Sequence, residues 1–185
     1  MAGTGRTAAG SEAARFPDLF GPGRWGPVSW TFRLTESEPC DADVANVSVV
    51  SYTASGWVVL VLADGRPEVP GGTREPGESI EATLRRELLE EAGARLESFE
   101  PFGVWDCVSA AEAPYRSHLP HPKYQRLVGV GRVELVTAPT IGDGEDVVEV
   151  LTVSLEEAQA RFRAVGRGDL ADLYALAAEV VGREG

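Results

Sequence analysis

Positive charge and long apolar runs are scarce in this chain of 185 residues. Lys123 is the only lysine, and 17 basic residues stand against 29 acidic ones, which gives a net charge of −12. Phosphate backbones are bound by clustered lysine and arginine, so this balance argues against a nucleic-acid partner. It does not argue against a nucleotide substrate, because a bound metal ion can reverse the local charge. No apolar run approaches the ~18 residues of a membrane span, so we expect no membrane partner.

Cysteine is equally scarce, and its distribution indicates a reducing compartment. Cys40 and Cys107 lie far apart in the chain and have no metal-binding spacing. Free thiols are the ordinary state in the cytosol, so we expect a cytoplasmic protein without a disulfide framework. The first residues, MAGTGRTAAGSEAARF, lack the apolar core of a secretory signal.

The chain length predicts one domain with extensions. Residues 1–15 are small and polar, and we expect them to be disordered. Residues 16–44 are rich in proline, glycine and aromatic residues but too short to form a core of their own. This extension must therefore pack on the main domain, which we place at residues 45–182, or on a second subunit of a homodimer.

Alternating and apolar segments predict strands flanked by helices. Turn signals separate the predicted strands, which are residues 28–34, 47–53, 57–63, 99–108, 127–136 and 147–153. Ser154 is the expected cap of a helix over residues 155–165, and Asp169 the expected cap of a last helix to residue 181. This order favours an α/β sandwich with a mixed sheet.

The segment GTREPGESIEATLRRELLEEAGA, residues 72–94, is the most informative part of the chain. Pro76 and Gly77 break the chain, Ser79 offers a helix start, and Gly93 offers a stop. At about 100° per residue, the apolar side chains of this helix form one stripe. The stripe comprises Ile80, Leu84 and Leu88, and Glu87 and Glu91 fall on it, with Glu90 at its edge.

Acidic residues on the apolar side of a helix are unfavourable unless something compensates for them. The Glu87–Glu90 and Glu87–Glu91 pairs place like charges three and four residues apart, which destabilises a helix, and burial increases the cost. A divalent cation removes both penalties, and carboxylate oxygens suit magnesium. The alternative is a solvated acidic helix in which Arg85 and Arg86 are the ion-pair partners.

The same residues resemble the Nudix box, G-x5-E-x7-R-E-U-x-E-E-x-G-U, where U is a bulky apolar residue. The matching positions are Gly72, Glu78, Arg86, Glu87, Leu88, Glu90, Glu91 and Gly93, and the last position holds the small Ala94. The resemblance implies a Nudix-type α/β/α sandwich with a mixed β-sheet, in which the box forms a loop–helix–loop. It also implies a hydrolase of nucleoside diphosphates linked to another moiety, with Mg²⁺ or Mn²⁺ as cofactor.

The resemblance further implies roles for the residues of the box. Glu87, Glu90 and Glu91 would hold metal, and the carbonyl group of Gly71, just before the box, would complete the set. Arg86 would anchor these catalytic glutamates by ion pairing, and Glu78 would support the loop–helix geometry. The conformational positions are Gly72, Gly77 and Gly93.

Family members often draw a further carboxylate from a loop after the box. The candidates here are Glu145, Asp146 and Glu149 in the segment GDGEDVVEV. Glu145 is the residue that we expect to act as base or additional ligand; the alternative is a solvated loop charge.

A second group of candidates could form the rim of a substrate site. The segment YRSHLPHPKYQ reads as a loop because of its prolines, and its functional interpretation is a rim made of His121, Lys123, Tyr124 and Arg126, together with Tyr115 and His118. The alternative is that these are ordinary exposed loop residues. Similarly, Trp25, Trp30, Trp57 and Trp105 could stack on a base, although packing is the more frequent use of tryptophan.

The box indicates the chemistry but not the substrate. The extension before the domain and the ending SLEEAQARFRAVGRGDLADLYALAAEVV resemble the ADP-ribose and nucleotide-sugar pyrophosphatase branch, in which the extension helps to build a dimer. A proline typical of ADP-ribose enzymes is absent, since that region reads Cys107-Val108-Ser109-Ala110. Three hypotheses follow: a pyrophosphatase of nucleoside diphosphate derivatives, a (d)NTP pyrophosphatase, and a non-catalytic ligand-binding regulator.

Overall fold

A mixed nine-stranded sheet organises the computed structural model, which describes residues 11–35, 39–140 and 147–183. The strands are β1 (Gly23–Trp25), β2 (Val28–Leu34), β3 (Val44–Thr53), β4 (Gly56–Leu62), β5 (Pro67–Glu68), β6 (Gly71–Thr73), β7 (Ala94–Ser109), β8 (Lys123–Leu135) and β9 (Val147–Val153). The helices are α1 (Pro17–Phe20), α2 (Ile80–Ala92), α3 (Leu155–Ala164) and α4 (Gly168–Arg183), and a 3₁₀ turn covers Asp41–Asp43. No helix in these ranges is both long and apolar enough to traverse a bilayer.

The strand order leaves an opening in the middle of the sheet. The main path runs β1-β2-β7-β8-β3-β4-β5, and the β3–β8 pair is parallel whereas the other pairs are antiparallel. Strand β4 pairs with β3 only at the turn, through Tyr52–Trp57 and Thr53–Gly56. Strand β6 pairs with the first half of β3, at Asn46–Ser48. Because β4 and β6 contact β3 at different places, a cleft opens between them.

Two apolar cores cover the two faces of the sheet, as the α/β/α sandwich prediction requires. Helix α2 buries Ile80, Leu84 and Leu88 against one face, together with Val47 and Val49 of β3. The other face packs against α1, α3 and α4, with Phe162, Leu173 and Tyr174 fully buried there. Alternation along β3 sends Val47 and Val49 to one core and Val50 to the other. The fold class expected from the sequence is confirmed.

The extension before the domain joins the sheet of its own chain. Strand β2 forms seven antiparallel residue pairs with β7, from Val28–Ser109 to Leu34–Gly103. Trp30 and Phe32 are buried in the second core. Asp172 of α4 accepts a hydrogen bond from the Asp18 backbone N–H at 3.0 Å and so fixes the start of α1. Burial raises the pKa of this Asp172 carboxyl.

Disorder was expected for residues 1–15, and the structure corrects this for part of the segment. Residues 1–10 lie outside the described ranges, whereas residues 11–15 are helical. Arg15 forms ion pairs with Glu12 and with Glu179 of α4, and the neighbouring Phe16 is buried. The physical reason is tertiary: the next residue, Phe16, is buried in the core and holds the polar segment against the domain, which the composition of the segment does not reveal.

The predicted strands and helices agree with the structure except at their boundaries. Strands β2 and β9 match the predicted ranges, and β7 and β8 each begin four or five residues earlier than expected. Ser154 caps α3 by accepting a hydrogen bond from the Glu157 N–H at 3.2 Å. Asp169 is not the cap of α4, because the helix begins at Gly168 and the carboxylate of Asp169 binds Arg167 at 3.0 Å. Arg167 occupies the Asp169 carboxylate, which could otherwise accept hydrogen bonds from backbone N–H groups at the start of α4.

Candidate functional site

Helix α2 begins and ends where the sequence predicts. Ser79 accepts a hydrogen bond from the Ala82 N–H at 3.2 Å, and Gly93 ends the helix in the left-handed conformation, with φ 59°. A side chain at Gly93 would strike the Thr137 carbonyl group, so both the conformation and the space require glycine. The caps therefore fix the rotation of the helix and the face that its glutamates present.

Arg86 connects the helix to the loop before it. Its guanidinium forms a two-pronged ion pair with the Glu78 carboxylate, at 2.7 Å and 3.0 Å. It also donates to the Thr73 carbonyl group at 3.1 Å and lies 2.9 Å from Glu87 and 3.2 Å from Glu90. One arginine thus joins three carboxylates and strand β6, while the anchoring role expected for it stays a prediction.

Glu78 is held in its charged form. The Arg86 guanidinium lowers the pKa of the Glu78 carboxyl to about 2, and hydrogen bonds from the Glu75 backbone N–H at 2.9 Å and the Thr83 hydroxyl at 3.0 Å act in the same direction. The pairing with Glu78, and after it the charge of Glu87, raises the pKa of Arg86. The pair is a fixed link between loop and helix, and not a titrating group near neutral pH.

Two glutamates of α2 are buried beside the glycines of β6. Glu87 is 8% exposed and Glu91 is 7% exposed. The Gly71 backbone N–H donates to the Glu91 carboxylate at 2.8 Å. A Cβ atom built on Gly72 would overlap the carboxylate of Glu87, so the missing side chain forms the space in which that carboxylate lies. Gly72 is therefore a packing requirement of the glutamate and not only a turn residue.

Glu90 differs from its two neighbours. Its side chain is 51% exposed and is directed to Arg86. Over the described ranges, no three histidine, cysteine or acidic side chains converge in a ready-made metal cluster. The buried oxygens of Glu87 and Glu91, beside a glycine backbone, are nevertheless the hard donors that Mg²⁺ and Mn²⁺ prefer.

A cavity lies beside Glu91. It is a cleft of about 610 Å³ in the opening between β4 and β6, and Gly71, Gly72 and Glu91 form one wall. The other walls carry polar and aromatic side chains, namely Trp25, Asn46, Ser48, Asp64, Arg66, Glu68, Arg126 and Arg167. A volume of this size accommodates a nucleotide-sized molecule.

Among the expected rim residues, the structure places only Arg126 in the cleft lining. Tyr124 is buried near Cys107 in the second core, and burial raises its pKa to about 12. Lys123 is exposed at the start of β8, and His121 precedes Pro122 through a cis peptide bond away from the cleft. Tyr124 and Arg126 are two residues apart on one strand, so the alternation of side chains places them on the same face of the sheet. How deeply each is buried could not be predicted from the sequence.

The loop between β7 and β8 reaches the box without lining the cleft. The Tyr115 hydroxyl donates to Asn46 at 2.8 Å, and Arg116 forms an ion pair with Glu75 at 2.9 Å. His118 contacts the Arg74 carbonyl group at 2.7 Å. These contacts fasten the loop to the segment that precedes α2.

The carboxylates proposed as additional ligand or base have different outcomes. Glu145 and Asp146 lie outside the described residues. Glu149 is exposed on β9, where it pairs with Val61 of β4, and it is absent from the cleft lining. The role assigned to Glu145 therefore remains a prediction.

Several cleft residues were not singled out from the sequence. Asn46 and Ser48 are the polar residues that interrupt the apolar strand β3, and this interruption was a usable signal. Arg66 and Arg167 come from turns and had no comparable signal. Of the tryptophans, Trp30 and Trp105 are buried, Trp57 packs against Tyr174, and Trp25 lines the cleft.

Comparison with known proteins identifies the family. The family model described as the NUDIX domain matches residues 43–174, which is well over half of the chain. The chain belongs to the Nudix family. The chain is a hydrolase of this family, and the resemblance of residues 72–94 to the Nudix box is confirmed.

Solved structures of Nudix proteins show the same fold. The pyrophosphohydrolase BsRppH of Bacillus subtilis is 21% identical, with 67% of this chain and 72% of that chain covered and a TM-score of 0.50. A Nudix hydrolase from Nitrosomonas europaea is also 21% identical, with 70% and 87% covered and a TM-score of 0.50. No curated protein is similar enough in sequence to match.

Proposed function

We propose that this Nudix protein hydrolyses the diphosphate bond of a nucleoside diphosphate linked to another moiety, releasing a nucleoside monophosphate. The observation that carries the proposal is a pair of buried carboxylates on one helix, Glu87 and Glu91, of which Glu91 lines a cleft of nucleotide size. Burying two carboxylates on one helix face is costly unless a cation compensates for it. Arg86 offsets part of this cost at Glu87 and the Gly71 N–H part of it at Glu91, and a catalytic divalent-metal site would add to that compensation.

We assign two roles to the residues of the box: some hold the cation, and others fix the position of the helix that carries them. We assign Glu87, Glu91 and the Gly71 carbonyl group to the cation, with Glu90 joining from its exposed position. A bound Mg²⁺ or Mn²⁺ would neutralise phosphate charge and polarise the phosphorus–oxygen bonds. Arg86 and Glu78 fix the helix against strand β6, so that the carboxylates are oriented before the substrate arrives.

The cleft itself favours a diphosphate with a sizeable group attached. Three arginines, Arg66, Arg126 and Arg167, line it although the chain as a whole is strongly acidic. Planar guanidinium groups suit phosphate oxygens. The extension also contributes to the cleft through Trp25. The same arginines would serve a (d)NTP, which is the alternative substrate class.

The deciding experiment is turnover of a substrate panel. ADP-ribose, NDP-sugars and (d)NTPs are incubated with Mg²⁺, with Mn²⁺ and with EDTA, and released nucleoside monophosphate is measured. We expect metal-dependent release from ADP-ribose or an NDP-sugar. Turnover confined to (d)NTPs would replace the substrate assignment, and binding without any turnover would support the regulator.

A matched pair of variants tests the assigned carboxylates. Glu91→Gln keeps an acceptor for the Gly71 N–H but loses the charge, so we expect turnover to fall by at least ~100-fold, as for loss of a major electrostatic contact, while the fold is kept. Glu81→Gln is the control, since Glu81 lies on the same helix, is exposed and contacts Arg85. Full metal-dependent activity in Glu91→Gln would contradict the metal assignment.

A further inference from the structure

The guanidinium of Arg126 stands out among the cleft arginines because no carboxylate in the described parts of the chain forms an ion pair with it. Arg66 pairs with Asp64 at 2.5 Å, and Arg167 pairs with Asp169 at 3.0 Å and Glu68 at 3.5 Å. The Nε atom of Arg126 is buried without a hydrogen-bond partner. A guanidinium that is partly removed from water and not neutralised is a site prepared for an anion.

Trp25 holds this guanidinium in place. The Cζ atom of Arg126 lies 4.5 Å from the centre of the Trp25 ring, which is the geometry of a cation–π contact. The Trp25 ring is in turn packed on Trp30, at 4.9 Å with an angle of 30° between the planes, and against the edge of Trp105 at 6.2 Å. Trp25 belongs to β1 of the extension, so a residue outside the matched Nudix domain reaches the cleft.

The sheet register fixes how far Arg126 lies from the buried glutamates. Arg126 is opposite Asn46 in the β3–β8 pair, and Asn46 is opposite Thr73 in the β3–β6 pair. Two strand spacings of about 4.8 Å separate the backbone of Arg126 from that of β6. Arg126 on β8 and Glu91 on α2 both line the cleft.

We propose that Arg126 binds a phosphate oxygen of the substrate's diphosphate and that Trp25 is a positioning residue for it. The inference rests on the proposed function, because it needs a diphosphate in the cleft. With Trp25 covering the guanidinium face, the N–H groups in its plane are left to receive the anion in a two-pronged contact. The extension is thus part of the substrate site and not only a structural addition.

Inorganic pyrophosphate is the probe that tests this without catalysis. Its binding to the full chain is measured by titration calorimetry in EDTA, beside the KM and kcat of the best panel substrate with metal. For Arg126→Gln we expect pyrophosphate affinity to fall and KM to rise by about 10- to 100-fold, as for loss of a charge-assisted contact, with a smaller change in kcat. Arg126→Lys keeps the charge but loses the planar guanidinium, so its pyrophosphate affinity and KM should lie between those of the wild type and Arg126→Gln. The control is Arg132→Gln on the same strand, where Arg132 pairs with Glu97 at the surface.

The role of Trp25 is separated from simple packing by rescue and by a double variant. Trp25→Ala should raise KM about 2- to 5-fold, the size of a lost exposed cation–π contact, whereas Trp25→Phe should restore it. In the Arg126→Gln background the same change should add nothing to KM, because Trp25 acts through Arg126. A purely structural role would lower the melting temperature in both backgrounds and leave KM unchanged.

The outcomes keep this inference apart from the proposed function. If the wild type hydrolyses a panel substrate but Arg126→Gln matches Arg132→Gln in KM and pyrophosphate binding, the Arg126 assignment is overturned and the function stands. If no substrate is turned over and pyrophosphate still binds through Arg126, the proposed catalysis fails and the anion site stands. If folded wild type binds no pyrophosphate and KM is insensitive to Arg126, the anion site is refuted.

Discussion

At the residue scale, the absence of a side chain at Gly72 is as important as the carboxylate that it accommodates. The Glu87 carboxylate occupies the space that a Cβ atom on residue 72 would take. Arg86, at 2.9 Å, then holds that carboxylate from the other side. The motif position is glycine because the Glu87 carboxylate needs the room, a reason that neither turn propensity nor helix propensity contains.

Gly72→Ala should therefore impair catalysis more than folding. The added methyl group displaces the Glu87 carboxylate, and a displacement of about 1 Å in a catalytic group can cost on the order of 100-fold in rate. Turnover with Mg²⁺ and the melting temperature are measured together. Gly182→Ala is the control, because a Cβ atom there meets nothing within 4 Å. Unchanged kcat in Gly72→Ala would show that Glu87 does not need this position.

At the element scale, the Glu78–Arg86 pair links the loop before α2 to the helix. The sequence pattern predicted the helix, both of its ends and its apolar stripe, since caps and periodicity are local properties. The pattern also placed Glu87 and Glu91 on the buried side, and their low exposure agrees. It placed Glu90 at the edge of the stripe, and in the structure that side chain is 51% exposed and pairs with Arg86, four residues before it on the helix.

This link makes a defined contribution to stability as a function of pH. The folded-state pKa of Glu78 is about 2, below its ordinary value of 4.5. Because the charged form makes the pair, its stabilisation is complete above pH 4.5 and is lost as the pH falls towards 2. In urea unfolding with EDTA, the wild type should exceed Glu78→Gln in midpoint at pH 7, and the gap should close between pH 4.5 and 2. A difference in urea midpoint that stays constant with pH, or an equal loss of midpoint in the exposed control Glu81→Gln, would contradict this prediction.

At the scale of the whole molecule, the extension and the Nudix domain share one apolar core. The family model begins at residue 43, yet Phe16, Leu19, Trp30 and Phe32 are buried in the core shared with α3 and α4. Strand β2 also covers the edge of β7. The homodimer suggested by the resemblance stays a prediction, which light scattering of the eluted protein would check.

A chain that begins at Val44 should lose cooperative folding. It lacks four buried apolar side chains and exposes the β7 edge, which favours aggregation. Thermal unfolding followed by circular dichroism and by light scattering provides the measurement, and Phe32→Ala, with an expected loss of about 3–5 kcal/mol, is the milder companion variant. Unfolding of the truncated chain at the wild-type temperature would show that the extension is an independent appendage.

The sequence by itself determined the helix of the box, its caps, the face that carries Glu87 and Glu91, the sandwich class and the Nudix resemblance. All of these depend on residue spacing and local conformational preference, which are present in a short stretch of chain. Only the tertiary structure decided that Trp25 and Arg126 share a cleft with Glu91, that Tyr124 is buried, and that residues 11–15 are helical. These facts depend on strand order and register, which bring together residues about 100 positions apart through contacts that no local pattern records.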